Sequence, residues 1–204
     1  MIAVFAIAAL SCTPAKGFQT VSAHLEAIRQ ADQADRRNRI DAMQMRENDL
    51  ARRAVVDAYM AQDCLETGRD HHTAALIHQH GGQPEDYREA WRLAVRAVEL
   101  GDESASWLIP RAIDRYFMST GYKQLYATNL RGEPRDPEAG PEGGFVMCLW
   151  PVADAVTDAE REALGVRTVE EQLAWAAQIN EEREGRFCET DAEVPPRGEF
   201  PGYW

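Results

Sequence analysis

Histidine is the side chain best suited to moving a proton near neutral pH, and the sequence gathers His71, His72, His78 and His80 into one stretch. That density suggests a metal site, but the spacing argues against one. Two helix residues must lie three or four apart to share an ion, whereas His71 and His78 lie seven apart, about 10 Å along the axis, and His78 and His80 point to opposite sides. The expectation is of histidines near a helix end, partly in contact with solvent, with no metal and no cofactor. Arg111, Asp114 and Arg115 recur at one-turn spacing. They read either as a surface ion-pair ladder of little energetic weight or, since Asp114-Arg115 leads into apolar Tyr116-Phe117-Met118, as a charged pair in which a buried arginine serves an anion. Gln124, Tyr126 and Thr128 are two apart, so on a strand they share a face; such a row lines a cleft or faces solvent on an edge strand. A Gly-rich phosphate loop, a G-x-S-x-G elbow and an H-E-x-x-H helix are all lacking, which counts against the well-known hydrolase and nucleotide-binding classes.

The elements that must position these residues are mainly helical. Val21, Leu25 and Ile28 fall at helical spacing and predict a helix to about Arg37; Val55, Val56, Tyr59 and Met60 predict a second from roughly Asn48, stopped at Gly68, with a soft boundary through Ile40 and Met43. Asp70 reads as the N-cap of a short helix carrying Ala74 to Ile77 and ending at Gly81-Gly82. Pro84 opens an amphipathic helix closed by Gly101, and a further one runs from about Ser104 to Thr120, with Pro110 either kinking it or marking its true first turn. Lys123–Leu130 and Phe145–Val152 are rich in aromatic and β-branched residues and predict two strands joined by the Gly/Pro-rich stretch between them. Thr157 caps a short helix, and Thr168 with Glu171 forms a capping box for the last one. The fold class is therefore mainly α: a helical bundle of about six to seven helices with one β-hairpin, over about 122–152, inserted before the last two helices. The tail, 188–204, carries Pro195, Pro196 and Pro201 without periodicity and is expected to be irregular, disordered or draped on the surface.

A chain of 204 residues is sized for one domain, expected over 18–187. Its 22 basic and 34 acidic residues give a net charge of -12, which repels phosphate backbones and excludes nucleic acid as an expected partner, with Arg36, Arg37 and Arg39 the one small basic cluster. Met1 to Ser11 is almost entirely apolar and ends in small residues, the pattern of a signal peptide without a basic n-region, so residues 1–17 read as a leader and the protein as exported: periplasmic, envelope-attached or extracellular. The alternative is a buried amino-terminal element. Leu10-Ser11-Cys12 approximates a lipoprotein box with Leu one place too close to the cysteine, so lipid attachment at Cys12 is the membrane link to consider. Beyond Cys12, the spacing of Cys64, Cys148 and Cys188 lacks the C-x-x-C pattern of zinc and redox sites; export would allow one disulfide, assigned to Cys148 with Cys188, and leave one thiol over.

Four short motifs now line up. The sequence has Asp32-Gln33 with Arg36, then Gln79-His80, Asp114-Arg115, and Gln124-Leu125-Tyr126-Ala127-Thr128-Asn129. In this it resembles a bacterial family of uncharacterised proteins that carry Asp-Gln-x-x-Arg, Gln-His, Asp-Arg and a signature close to Gln-x-Tyr-Gly-Thr-Gln. The family's continuation into Pro-x-x-Asp and Leu-Gly is matched by Pro151 to Asp154 and by Leu164-Gly165. Ala127 replaces the family's glycine and Asn129 its glutamine. The resemblance supplies no reaction, but it implies a shared pocket, with His80 and Asp114 as catalytic candidates and Asp32, Gln33, Arg36, Arg115, Gln124, Tyr126 and Thr128 as ligand-binding candidates. His80 would move the proton, Asp32 or Asp114 would orient it, and Arg36 or Arg115 would hold an anion.

Two function classes follow. One is a pocket for a small or anionic ligand, serving a metal-independent hydrolase or transferase that uses His80. The other is a protein-interaction module, since Ala94, Ala97, Leu100-Gly101 and Ala105 look like one unit of a tetratricopeptide or Sel1-type repeat, of which no second unit is visible.

Overall fold

A computed structural model describes residues 12–136, 138, 144–182 and 184–202. The architecture is mainly α. Seven helices run in order as α1 (Val21–Arg37), α2 (Ala42–Met60), α3 (Gly68–Gln79), α4 (Pro84–Glu99), α5 (Leu108–Ser119), α6 (Asp158–Ala163) and α7 (Val169–Asn180). Between α5 and α6 stands an antiparallel hairpin of β1 (Leu130–Pro134) and β2 (Phe145–Leu149), with Leu130 opposite Leu149 and Pro134 opposite Phe145. The start of the predicted leader, through Ser11, lies outside the described residues.

The helix at the centre is α3. Nearly all of it from Asp70 to Gln79 is buried, so it shows no one-sided apolar stripe. It packs on α1, α2, α4 and α5, and Leu25, Val56, Ile77, Leu93, Leu108, Ile113 and Phe117 fill the space between them. The start of α3 passes so close to the end of α4 that a Cβ on Gly68 would stand 2.9 Å from the Ala97 carbonyl oxygen. Gly68 therefore opens α3 and does not terminate α2. The N-cap is Thr67, and Asp70 is the third helical residue of a capping box, its carboxylate accepting from the Thr67 backbone N–H at 2.9 Å and from the Ser22 hydroxyl at 3.0 Å. The small residues that look like a repeat unit serve ordinary close packing: Ala90, Ala94, Ala97 and Ala105 have no exposed surface, which lets α4 close on its neighbours.

Pro110 sits in the first turn of α5, preceded by a separate 3-10 turn, Glu103–Ala105. Asp41 caps α2, which starts earlier than the apolar stripe suggests. The largest departure concerns 123–129. This segment is no strand; β1 begins at Leu130, and the residues before it form a turn wrapped around a buried carboxylate on α5.

The tail is fastened. Cys188 pairs with Cys148, Lys123 N–H donates to the Glu193 carbonyl at 2.7 Å, and Phe200, 1% exposed, packs edge-on to Trp91, Tyr116 and Phe117. A second disulfide joins Cys12 to Cys64, so no free cysteine is left among the described residues, contrary to the single bridge expected. Ala15 N–H also donates to the Tyr59 hydroxyl at 3.1 Å, so residues 12–17 belong to the folded body. A lipid thioether at Cys12 and this disulfide exclude one another, since both need the same sulfur. No helix among the described residues is long and apolar enough to cross a membrane.

Candidate functional site

Where α3 ends, the chain turns through His80, Gly81 and Gly82 into α4, opposite the N-terminal half of α2. The space between is a pocket of about 590 Å³ lined by Met45, Arg46, Asp49, Arg53 and His80, among others. Gly81 fits because the turn presses on the first turn of α4: a Cβ there would stand 2.3 Å from that of Asp86. Asp86 holds the turn by accepting from Gly82 N–H at 3.0 Å and Gln83 N–H at 3.1 Å, and it also pairs with Arg53 at 3.3 Å.

Behind His80 lies Asp32 on α1, with no exposed surface. Its Oδ1 is 3.1 Å from His80 Nδ1 and 2.8 Å from Arg36 Nη1, and its Oδ2 accepts from Gln33 Nε2 at 2.8 Å. Burial works to raise the Asp32 pKa, but the hydrogen bonds and charges of His80, Arg36 and Gln33 outweigh it and hold the carboxyl below its ordinary range. An ionised carboxylate only accepts, so His80 Nδ1 carries the hydrogen. In the neutral ring Nε2, which has no hydrogen-bond partner among the described residues, then keeps its lone pair.

Arg36 spans to α2, donating through Nη2 to Asp49 Oδ2 at 2.9 Å. Arg52 lies 3.3 Å from Asp49 and also binds Asp35, whose carboxyl is held low chiefly by that hydrogen bond. Asp32, Asp35, Arg36, Asp49 and Arg52 thus form one network between α1 and α2. Arg46, exposed at the pocket wall, has no ion-pair partner among the described residues.

The predicted site residues fall into two groups and not around one cavity. Asp32, Gln33, Arg36 and His80 belong to the site just described. Asp114, Gln124, Tyr126 and Thr128 do not. Asp114 is fully buried; its Oδ1 accepts from Leu125 N–H at 2.7 Å and Tyr126 N–H at 2.9 Å, and its Oδ2 from Thr128 N–H at 3.0 Å and the Thr128 hydroxyl at 2.7 Å. Burial pushes this carboxyl up while the four donors pull against it. Among the described residues no hydrogen bond joins it to His80; its oxygens are bonded to the 125–128 turn, which they shape. Gln124 is likewise consumed: its Nε2 donates to the Trp150 carbonyl at 2.7 Å and its Oε1 accepts from Asn129 N–H at 3.0 Å. Tyr126 is buried in the core. Arg115 bridges the two groups, donating through Nη1 to the Gln79 carbonyl and through Nε to Asn129 Oδ1 at 3.3 Å, but it opens on a different cleft.

Sequence reasoning missed Asp49, Arg52, Arg53 and Arg46. The signal available was charge at one-turn spacing on two successive helices, Asp32-Asp35-Arg36 on α1 and Asp49-Arg52-Arg53 on α2, which resembles solvated ion-pair ladders until the helices are paired. Of the buried histidines, His72 stands apart and bonds Asp102 at 3.0 Å, whereas His78, 3.1 Å from Asp57, also approaches Asp86 behind the pocket's turn at 4.0 Å. Among the described residues the one grouping of metal-ligand type, Glu133 with Cys148 and Cys188, has both sulfurs in a disulfide. No family model, no curated protein and no solved structure matches this chain.

Proposed function

We propose that this is an exported protein whose pocket between α2 and the α3–α4 turn binds a small anion, with His80 as the base of a hydrolytic or group-transfer step. One observation carries the reading: His80 is held through Nδ1 by a buried, ionised Asp32 at 3.1 Å while the ring lines a pocket of about 590 Å³. A base fixed in its tautomer by a carboxylate needs no metal to take a proton. In the hydrolytic form, Nε2 removes a proton from water as the water oxygen bonds to the electrophilic centre, and the imidazolium returns that proton to the leaving group. Arg46, unpaired, supplies the charge that draws an anion in a protein otherwise strongly acidic. The pocket lining holds no serine, threonine or cysteine, and its one carboxylate, Asp49, is paired with Arg36 and Arg52, so the step is written with water or a second substrate as the attacking group. Two disulfides are compatible with the oxidising surroundings of an exported protein.

A panel of 4-nitrophenyl acetate, phosphate and sulfate tests the hydrolytic form. Turnover of whichever ester is accepted should fall about 10²- to 10⁴-fold in His80→Ala, while the thermal midpoint stays within a few degrees. Unchanged turnover, or a large loss of folding stability in place of lost turnover, overturns the assignment of His80.

A further inference from the structure

We infer a second binding site, for a small planar anion of the aromatic-carboxylate class, in the cleft where α4, the end of α5 and the start of the hairpin meet. The cleft has a volume of about 350 Å³ and is lined by Tyr87, Arg115, Ser119, Asn129, Arg131 and Trp150, with Met118 and Leu130 beneath. That size is at the small end of ligand sites. No carboxylate lines it, which is unexpected in a chain of net charge -12. Among the described residues neither arginine has an acidic partner. Arg115 has Nε and Nη1 committed to Asn129 and the Gln79 carbonyl, which fixes the guanidinium plane and leaves Nη2 unbonded. Arg131 is exposed, and the acid nearest it along the strand, Glu133, directs its carboxylate to the Cys148–Cys188 disulfide.

The walls are flat. The Arg115 guanidinium carbon lies 6.0 Å from the Tyr87 ring centre, and that of Arg131 lies 5.2 Å from the Trp150 ring. Trp150 is itself fixed, its indole N–H donating to the Tyr122 carbonyl at 2.8 Å. A half-buried guanidinium without a counterion carries a standing cost that an incoming carboxylate relieves: Arg115 offers it the unspent Nη2, and Arg131 offers its planar fork. An aromatic ring on that carboxylate then lies against preset aromatic and guanidinium faces. This inference is independent of the His80 pocket.

The test is a titration of the full, oxidised chain with benzoate, benzamide and acetate, followed by amide and tryptophan indole NMR signals. Benzoate should give saturable shifts at Asn129, Leu130, Arg131 and the Trp150 indole, with the neutral amide and the non-aromatic anion each at least about tenfold weaker. Arg131→Gln should weaken benzoate about tenfold without moving the thermal midpoint; Arg115→Lys, which keeps the charge but loses the fixed guanidinium plane, should weaken it similarly whatever it does to the midpoint; His80→Ala should leave it unchanged. If Arg115→Lys fails to fold, Arg131→Gln decides. Benzamide binding equal to benzoate, no saturable shift up to on the order of 20 mM, or shifts confined to His80 and Arg46 would overturn the site.

Discussion

Asp114→Asn changes one atom of a carboxylate that organises the whole 124–129 turn. Four donors converge on it, from Leu125, Tyr126 and Thr128; Leu125 and Tyr126 are buried, Thr128 is half-buried, and Asp114 itself has no exposed surface. An asparagine keeps one acceptor for Leu125 and Tyr126 but points an N–H₂ at Thr128. The Thr128 hydroxyl can rotate to accept; the Thr128 backbone N–H cannot. One buried N–H left unpaired costs about 1–3 kcal/mol, and hydrogen bonds to a charged acceptor lose about 1 kcal/mol apiece when it becomes neutral, offset in part by relief of the buried charge. The net expectation is a loss of about 3 kcal/mol, equivalent to a fall of roughly 6–12 °C in Tm for a chain of this length. Thermal and urea unfolding followed by circular dichroism measures it, and hydrogen exchange should accelerate selectively at Leu125, Tyr126 and Thr128. A variant within about 0.5 kcal/mol of the parent refutes the reasoning. So does full stability with lost turnover, which would return Asp114 to the chemistry.

Ala127 adopts φ +57°, the left-handed region that favours glycine. The left-handed penalty of about 1–2 kcal/mol is nearly cancelled in Ala127→Gly by the lost methyl burial and the extra chain entropy, about 0.8 kcal/mol each. Ala127→Gly should therefore lie within about 0.5 kcal/mol of the parent, while Ala112→Gly, at a buried position inside α5, costs about 2 kcal/mol; equal losses in urea titrations would show that the backbone at Ala127 is unstrained. His72 and His78 both have pKa values lowered chiefly by burial. The unfolded chain then binds protons near 6.5 that the folded chain refuses, so their contribution is complete above that pH and lost as pH falls below it. Thermal midpoints should drop between about pH 7.5 and pH 5.5, and a His72→Asn/His78→Asn variant should flatten the slope; a parent midpoint constant over that interval contradicts the assignment.

The helices were legible because their ends carry chemistry. Thr157 with Glu160 and Thr168 with Glu171 form the boxes that start α6 and α7, Pro84 opens α4, and Gly101, Gly121 and Gly165 take positive φ after α4, α5 and α6. Gly68 misled because glycine signals both a stop and a close approach, and only packing against α4 decides between them. The 123–129 segment misled because alternation of polar and apolar residues is the signature of a strand, whereas here it records a turn in which the amides of Leu125, Tyr126 and Thr128 point at one carboxylate. Phe200 left no pattern at all, since a single aromatic anchoring a tail has no period to detect.

The same distinction sorts the family-like motifs. Each contains polar residues that become buried, and burial alone does not separate scaffold from chemistry. Hydrogen-bonding capacity does. Asp114 is satisfied by four donors, and Gln124 spends its amide on the Asn129 backbone at both ends and on Trp150, so nothing remains with which to meet a ligand. His80 is different: its Nδ1 is taken by Asp32, its Nε2 is not, and the ring lines a pocket. Arg115 is different in the same way, with Nη2 unspent at the edge of a cleft. A sequence shows which groups can bond but not which bonds are already made, so the positions of the polar residues were readable while their division into turn-builders and ligand-facing groups had to wait for the geometry.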